Sequence, residues 1–154
     1  KKKEKKAIEP IVKKLFDLEK TKKVDQLSTL IQFGKDTYRK RDSLIKLITK
    51  LKSQGKRIIG YGASGRATVH INLCKFNHEM IDYVVDASHE RQGRFIPGMH
   101  IPIVTPARLK KDNPDYAILF AYNYFDEVMK KENNFIQAGG RFIVPLPEPK
   151  IIVP

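Results

Sequence analysis

At 154 residues, 41% of them hydrophobic, the chain can bury one real core, which excludes a disordered polymer despite a formal net charge of +13. No apolar run approaches the roughly 20 residues of a membrane span. No signal-peptide pattern follows the charged start Lys1-Lys2-Lys3-Glu4-Lys5-Lys6, and a single cysteine, Cys74, excludes an internal disulfide.

These features fit a reducing cytoplasm. The abrupt lysine-rich start, without a methionine, suggests a piece of a longer protein. Residues 1–57 hold 19 Lys/Arg against 7 Asp/Glu, whereas residues 58–154 hold 11 against 10. The excess charge therefore belongs to the N-terminal segments. Aromatic residues do not interleave the lysines as a single-strand platform would need, and no nucleic-acid-binding motif is present, which argues against nucleic acid as a partner. Steering of a phosphorylated substrate is a softer reading of the same charge.

In chain order, Ile8, Ile11, Val12, Leu15, Phe16 and Leu18 follow a helical spacing and predict a short amphipathic helix over 7–19, with Pro10 in its first turn. A longer helix is predicted over 24–53, from Leu27, Leu30, Ile31, Gly34, Tyr38, Leu44, Ile45, Ile48 and Leu51, with Gly55 as its stop. We divide the chain accordingly into basic helices, 1–55, which brace or link to an upstream domain, and a following α/β domain, 56–154.

An α/β alternation then begins. Strands are predicted over 57–61, 82–86, 101–104, 116–121 and 141–144. Helices are predicted over 64–74, from Thr105-Pro106 to Asn113-Pro114, and from Asn123-Tyr124 to about Ala138. The tail Pro145-Leu146-Pro147-Glu148-Pro149 reads as extended. Such alternation implies an α/β fold: a Rossmann-like three-layer arrangement with a mostly parallel five-stranded sheet in the order 3-2-1-4-5.

The segment that carries chemistry is Gly60-Tyr61-Gly62-Ala63-Ser64-Gly65-Arg66. In a Gly-x-Gly-x-x-Gly turn between strand and helix, the first glycine allows the tight turn. The second allows backbone amides to approach an anion, and the third allows the helix to pack closely on the strand. The helix N-terminus favours negative charge, and Arg66 stands where it could meet phosphate. Asp86 ends the second strand, where an acidic residue often meets ribose hydroxyls. Ligands in such sheets bind beyond the carboxyl ends of the strands. That crevice would gather the glycine loop, Asp86, the 87–100 loop with Arg94 and His100, and the strand end at Asn123-Tyr124. For each there is a plainer structural role: glycines for a tight connection, Asn123 as a cap, Tyr124 packed.

Other chemistries find no support. The four histidines, His70, His78, His89 and His100, do not pair with Cys, Asp or Glu at metal-ligand spacing. Gly62-Ala63-Ser64-Gly65 has the wrong spacing for a nucleophile elbow. Arg57 opens the first strand where methyltransferase domains of the usual type carry an acidic residue, and no closing hairpin is expected after Val144. Both features argue against direct S-adenosylmethionine binding.

A family resemblance rests on ordered blocks. These are Gly60-Tyr61-Gly62-Ala63-Ser64-Gly65-Arg66-Ala67-Thr68, Asn72, Ile81-Asp82-Tyr83-Val84-Val85-Asp86 and Gln92-Gly93-Arg94-Phe95-Ile96-Pro97-Gly98-Met99-His100-Ile101-Pro102-Ile103. Asn123-Tyr124-Phe125-Asp126-Glu127 and Gly139-Gly140-Arg141-Phe142-Ile143-Val144-Pro145-Leu146-Pro147 complete them. Over roughly residues 25–150 the chain resembles the C-terminal domain of the sugar C-methyltransferases, enzymes of nucleotide-linked deoxysugars. The resemblance implies a parent with a zinc-binding domain, a central S-adenosylmethionine-dependent domain and this domain, which helps enclose the nucleotide-sugar. The family's catalytic tyrosines and histidines belong to the central domain, so none is assigned here. Many members carry Lys-Gly where this chain has Arg66-Ala67.

The expectation is thus a nucleotide-sugar-binding domain that works with an upstream methyltransferase domain and binds no metal or cofactor itself. Its substrate-binding residues are Gly60, Tyr61, Gly62, Ala63, Ser64, Gly65, Arg66, Asp86, Arg94, His100, Asn123 and Tyr124. A nicotinamide-dinucleotide module and a purely structural docking module are the alternatives.

Overall fold

Apolar residues alternate along the strands and sort to the two faces of one sheet. The computed structural model describes residues 9–153; the lysine-rich start and Ile8 of the first predicted helix lie outside the described residues. The elements are α1 (Pro10–Thr21), α2 (Leu27–Ser53), β1 (Ile58–Tyr61), α3 (Gly65–Cys74), β2 (Val84–Val85), β3 (Ile103–Val104) and α4 (Ala107–Asp112). They continue with β4 (Tyr116–Leu119), a 3-10 turn (Tyr122–Tyr124), α5 (Phe125–Lys131), α6 (Asn133–Gln137), β5 (Arg141–Val144) and β6 (Lys150–Ile151). The chain divides into two units, one ending at Tyr38 and the other beginning at Arg39.

The second unit holds the sheet, in the order β3-β2-β1-β4-β5-β6. The first five strands are parallel, as the alternation implies. The sheet has six strands rather than five, because β6 returns antiparallel to β5 with Ile143 opposite Ile151 and Val144 opposite Lys150. The expectation that nothing after Val144 can form a closing hairpin is therefore corrected. The proline-marked segment turns the chain back, and Ile151 and Ile152 pack partly buried against the sheet. The fold class stands, with this antiparallel edge added.

One face carries Ile58, Val84, Ile118, Phe120 and Ile143, covered by Leu44, Ile48 and Leu51 of α2 and by Ala67, Ile71 and Cys74 of α3. The other carries Ile59, Tyr61, Val85, Leu119 and Phe142, covered by Leu109 of α4, Val128 of α5 and Phe135 of α6. Parallel strands buried on both faces need such two-sided cover. Gly60 fits here because a Cβ would lie 2.9 Å from both Phe120 and Val84 side chains.

Two helices differ from expectation. α4 begins at Ala107 with Pro106, not Thr105, at its N-cap and no side-chain cap; Thr105 Oγ1 makes only a long 3.4 Å contact with the Ala107 amide. The helix expected from Asn123 to Ala138 breaks at Glu132, whose backbone leaves helical geometry (φ −101°, ψ 25°). Its carboxylate turns inward to accept the buried Tyr61 hydroxyl at 2.8 Å, and the two asparagines that follow are weak helix formers.

In the first unit, α1 has no buried residue, and the buried residues of α2 begin only at Leu44.

Candidate functional site

Where β1 meets α3, the backbone must turn sharply, and Gly62 makes this possible. Its φ of +88° lies in the left-handed region, and a Cβ there would sit 2.7 Å from the Ala121 Cβ. The Gly62 amide donates to Val85 O at 2.8 Å. The next amide, Ala63 N–H, donates to Asp86 Oδ2 at 2.6 Å. Asp86 Oδ1 accepts the Ser88 amide at 2.8 Å, and Arg91 reaches Oδ2 at 3.3 Å. Both oxygens of this buried carboxylate are therefore spent on the glycine loop and the loop after β2.

The third glycine behaves differently from expectation. Gly65 opens α3, is exposed, and a Cβ on it would meet no protein atom within 4 Å. Close packing of α3 on the sheet falls instead to Ala67 and Ile71, both fully buried.

A cleft of about 310 Å³ opens over the carboxyl ends of β1, β2 and β4. This is the crevice that strand order predicts for a ligand. Its walls include Tyr61, Gly62, Ser64 and Arg66 from the glycine loop and α3, Asp86 and Arg91 from beyond β2, and Tyr124, Glu127 and Lys131 from beyond β4. Ser64 precedes the first turn of α3 and gives it no side-chain cap. Its Oγ is buried without a hydrogen-bond partner. Ser64 and Arg66 both line the cleft at the start of α3, where a helix leaves its first-turn amides without intrahelical partners, an arrangement suited to an anion.

Arg66 lies half-buried beside the cleft, its guanidinium 5.0 Å over the Tyr122 ring, which restricts where the charge can go. Tyr61 forms part of the floor. Its hydroxyl is pushed well above the ordinary tyrosine range, first by burial and then by its bond to Glu132, so it remains a donor. Cys74 is buried, and burial pushes its thiol up to about 11, which leaves it unreactive.

The model of the C-methyltransferase C-terminal domain family matches residues 1–147. The chain belongs to this family. It is also 33% identical over 145 residues to the C-methyltransferase NovU of Streptomyces niveus; the match covers 94% of the chain and 34% of that relative. The C-methyltransferase C-terminal domain thus spans about a third of the relative's length.

Within this domain the structure brings together Tyr61, Gly62, Ser64, Arg66, Asp86 and Tyr124 around the cleft. Gly60 and Ala63 lie behind them in the buried turn. Asn123 sits exposed in the 3-10 turn outside the cleft lining. Arg94 and His100 are also outside it. Their loop closes on itself, with the Ile96 amide donating to Ile101 O at 2.8 Å and Ile103 N–H to Arg94 O at 2.8 Å. Ile96 and Ile101 enter the core beside α2 and α3, and Asn72 donates to Pro97 O at 2.9 Å. Only the start of that loop, Ala87 and Arg91, reaches the cleft.

Arg91 and Lys131 line the cleft but are absent from the residues expected there. Lys131 had a signal: Tyr124, Glu127, Val128 and Lys131 follow a helical spacing from the strand end, so one face of α5 looks into the cleft. Arg91 lies in an irregular loop and had none. Among the described residues no group of His, Cys, Asp or Glu comes together to hold a metal ion, so the zinc implied for the parent has no donor set here. No helix among the described residues is long and apolar enough to cross a membrane.

Proposed function

We propose that this chain is the substrate-holding domain of a C-methyltransferase. It binds a nucleotide-linked sugar by its diphosphate and presents the sugar to a methyl-transfer domain outside this chain. The observation that carries the reading is the buried, unpartnered Ser64 hydroxyl at the start of α3, in a cleft bordered by Arg66, Arg91 and Lys131. An anion there would accept from Ser64, from the first-turn amides and from the guanidinium of Arg66. Tyr124 would pack on the sugar or base. Asp86 would act one step back, holding the loop in shape.

Methyl transfer would take place on a carbon made acidic by a neighbouring keto group. The methyl group would come from S-adenosylmethionine held by the other domain. Support for this division comes from the match, which covers 34% of the relative.

Calorimetry on the chain tests the reading, with a thymidine-diphosphate-linked deoxysugar, inorganic pyrophosphate and reduced nicotinamide dinucleotide as probes. The sugar nucleotide should bind most tightly, and Arg66→Ala should weaken it by about tenfold, the loss of one charge-assisted hydrogen bond. No heat with the sugar nucleotide, or tighter binding of the dinucleotide, would overturn it. The chain fed S-adenosylmethionine should methylate nothing; a methylated product would place the chemistry here after all.

A further inference from the structure

The first unit presents an apolar surface of its own. Of the fifteen large hydrophobic side chains exposed among the described residues, eleven lie between Ile11 and Tyr38. On α1, Ile11, Val12, Leu15, Phe16 and Leu18 recur at helical spacing along one stripe. On the first turns of α2, Leu27, Leu30 and Ile31 form another. Several are more than half exposed: Leu27 at 71%, Phe33 at 70% and Ile11 at 57%. No residue from 9 to 38 is buried.

An α-helix of 12 residues such as α1 is marginal in water by itself, because helices in proteins are held mainly by packing an apolar face. The amphipathic α1 and the first turns of α2, which bury no residue up to position 38, therefore call for a cover. A second copy of the chain is a poor one. Residues 1–57 carry 19 Lys/Arg against 7 Asp/Glu, so two copies meeting here would bring like-charged segments together. The family to which the chain belongs is a C-terminal domain, and the matched stretch is only 34% of its relative. The rest of such an enzyme has to lie close enough to this domain to reach a shared substrate.

We infer that the apolar stripes of α1 and of residues 27–33 are the docking surface for the methyl-transfer domain, with the surrounding lysines meeting a neutral or acidic rim. The inference rests on the reading of the chain as a substrate-holding domain, and it assigns a surface to the contact between the two domains.

Hydrogen exchange tests it, comparing this chain alone with its assembly with the methyl-transfer domain, whether carried on the same polypeptide or co-expressed. Peptides from α1 and 27–38 should exchange quickly in the chain alone and at least about tenfold more slowly in the assembly, with the sheet strands unchanged. Phe16→Glu with Leu30→Glu should abolish that protection. The same pair should leave the affinity of the chain alone for the sugar nucleotide as it was, so failure of the docking surface and failure of the substrate site read out separately. Equal exchange in both samples would overturn the proposal, as would protection already present in the dilute chain. Sedimentation showing a concentration-dependent dimer that Phe16→Glu dissolves would assign the surface to a second copy instead.

Discussion

Two glycines of the loop look alike in sequence and separate once their surroundings are known. Gly62 is constrained twice, by its positive φ and by the Ala121 Cβ. Gly62→Ala should cost about 2–4 kcal/mol, the sum of a left-handed backbone penalty and local overpacking. Gly65 is constrained by no protein atom. Gly65→Ala should leave stability within about 0.5 kcal/mol of the parent, since helix propensity favours alanine. Urea denaturation distinguishes them, and equal losses would show that the loop is held in some other way. Asp86→Asn should behave like Gly62→Ala. Asparagine would turn an NH₂ toward either the Ala63 or the Ser88 amide, at a cost of about 1–3 kcal/mol for the unsatisfied donor. An Asp86→Asn variant with full stability but lost sugar-nucleotide binding would make Asp86 a direct ligand instead. The glycine loop was readable because backbone geometry restricts residue choice there. Arg91 was not, because one cation in a polar loop looks like any other until the fold places it against Asp86.

The strands are tied together at the edge opposite the cleft, and Asp115 does much of this. Its Oδ2 accepts the Arg57 amide at 2.8 Å just before β1, its Oδ1 meets Lys56 Nζ at 2.9 Å, and its carbonyl accepts the Arg141 amide at the start of β5. Burial alone would raise this carboxyl, yet the Arg57 amide and the Lys56 ammonium outweigh it and hold the group below the ordinary aspartate range. A depressed folded pKa means that the unfolded chain takes up the proton first as pH falls. The stabilisation is therefore complete above the unfolded value near ~4 and disappears as pH drops through the lower folded value. Asp115→Asn should cost about 1 kcal/mol at neutral pH. Thermal melts of variant and parent should converge below about pH 4; a gap unchanged at pH 3 would assign the loss to packing. At this scale the sequence was informative wherever elements are periodic, so the five parallel strands and their order could be anticipated. Its signal failed where one contact overrides periodicity, as when Glu132 turns inward to Tyr61 and splits the last helix. It failed also where an element is too short to have a period, as in β6.

At the scale of the whole molecule, one helix contains both kinds of surface. Leu44, Ile48 and Leu51 of α2 are buried against the sheet, whereas Leu27, Leu30 and Ile31 near its start are at least half exposed. Chemically equivalent substitutions along α2 should therefore have unequal effects. Leu44→Ala removes a side chain that is 2% exposed and leaves a cavity, which should cost about 2–5 kcal/mol. Leu30→Ala trims a side chain that is 55% exposed and should change the stability of the chain alone by less than about 0.5 kcal/mol. Urea denaturation followed by far-ultraviolet circular dichroism gives both numbers on the same protein. A Leu30→Ala loss close to that of Leu44→Ala would mean that the first unit has its own core and needs no partner. Near-neutrality in the chain alone, with weakened association in the assembly, would mean that α2 serves two purposes: its later turns stabilise the sheet and its first turns hold the methyl-transfer domain.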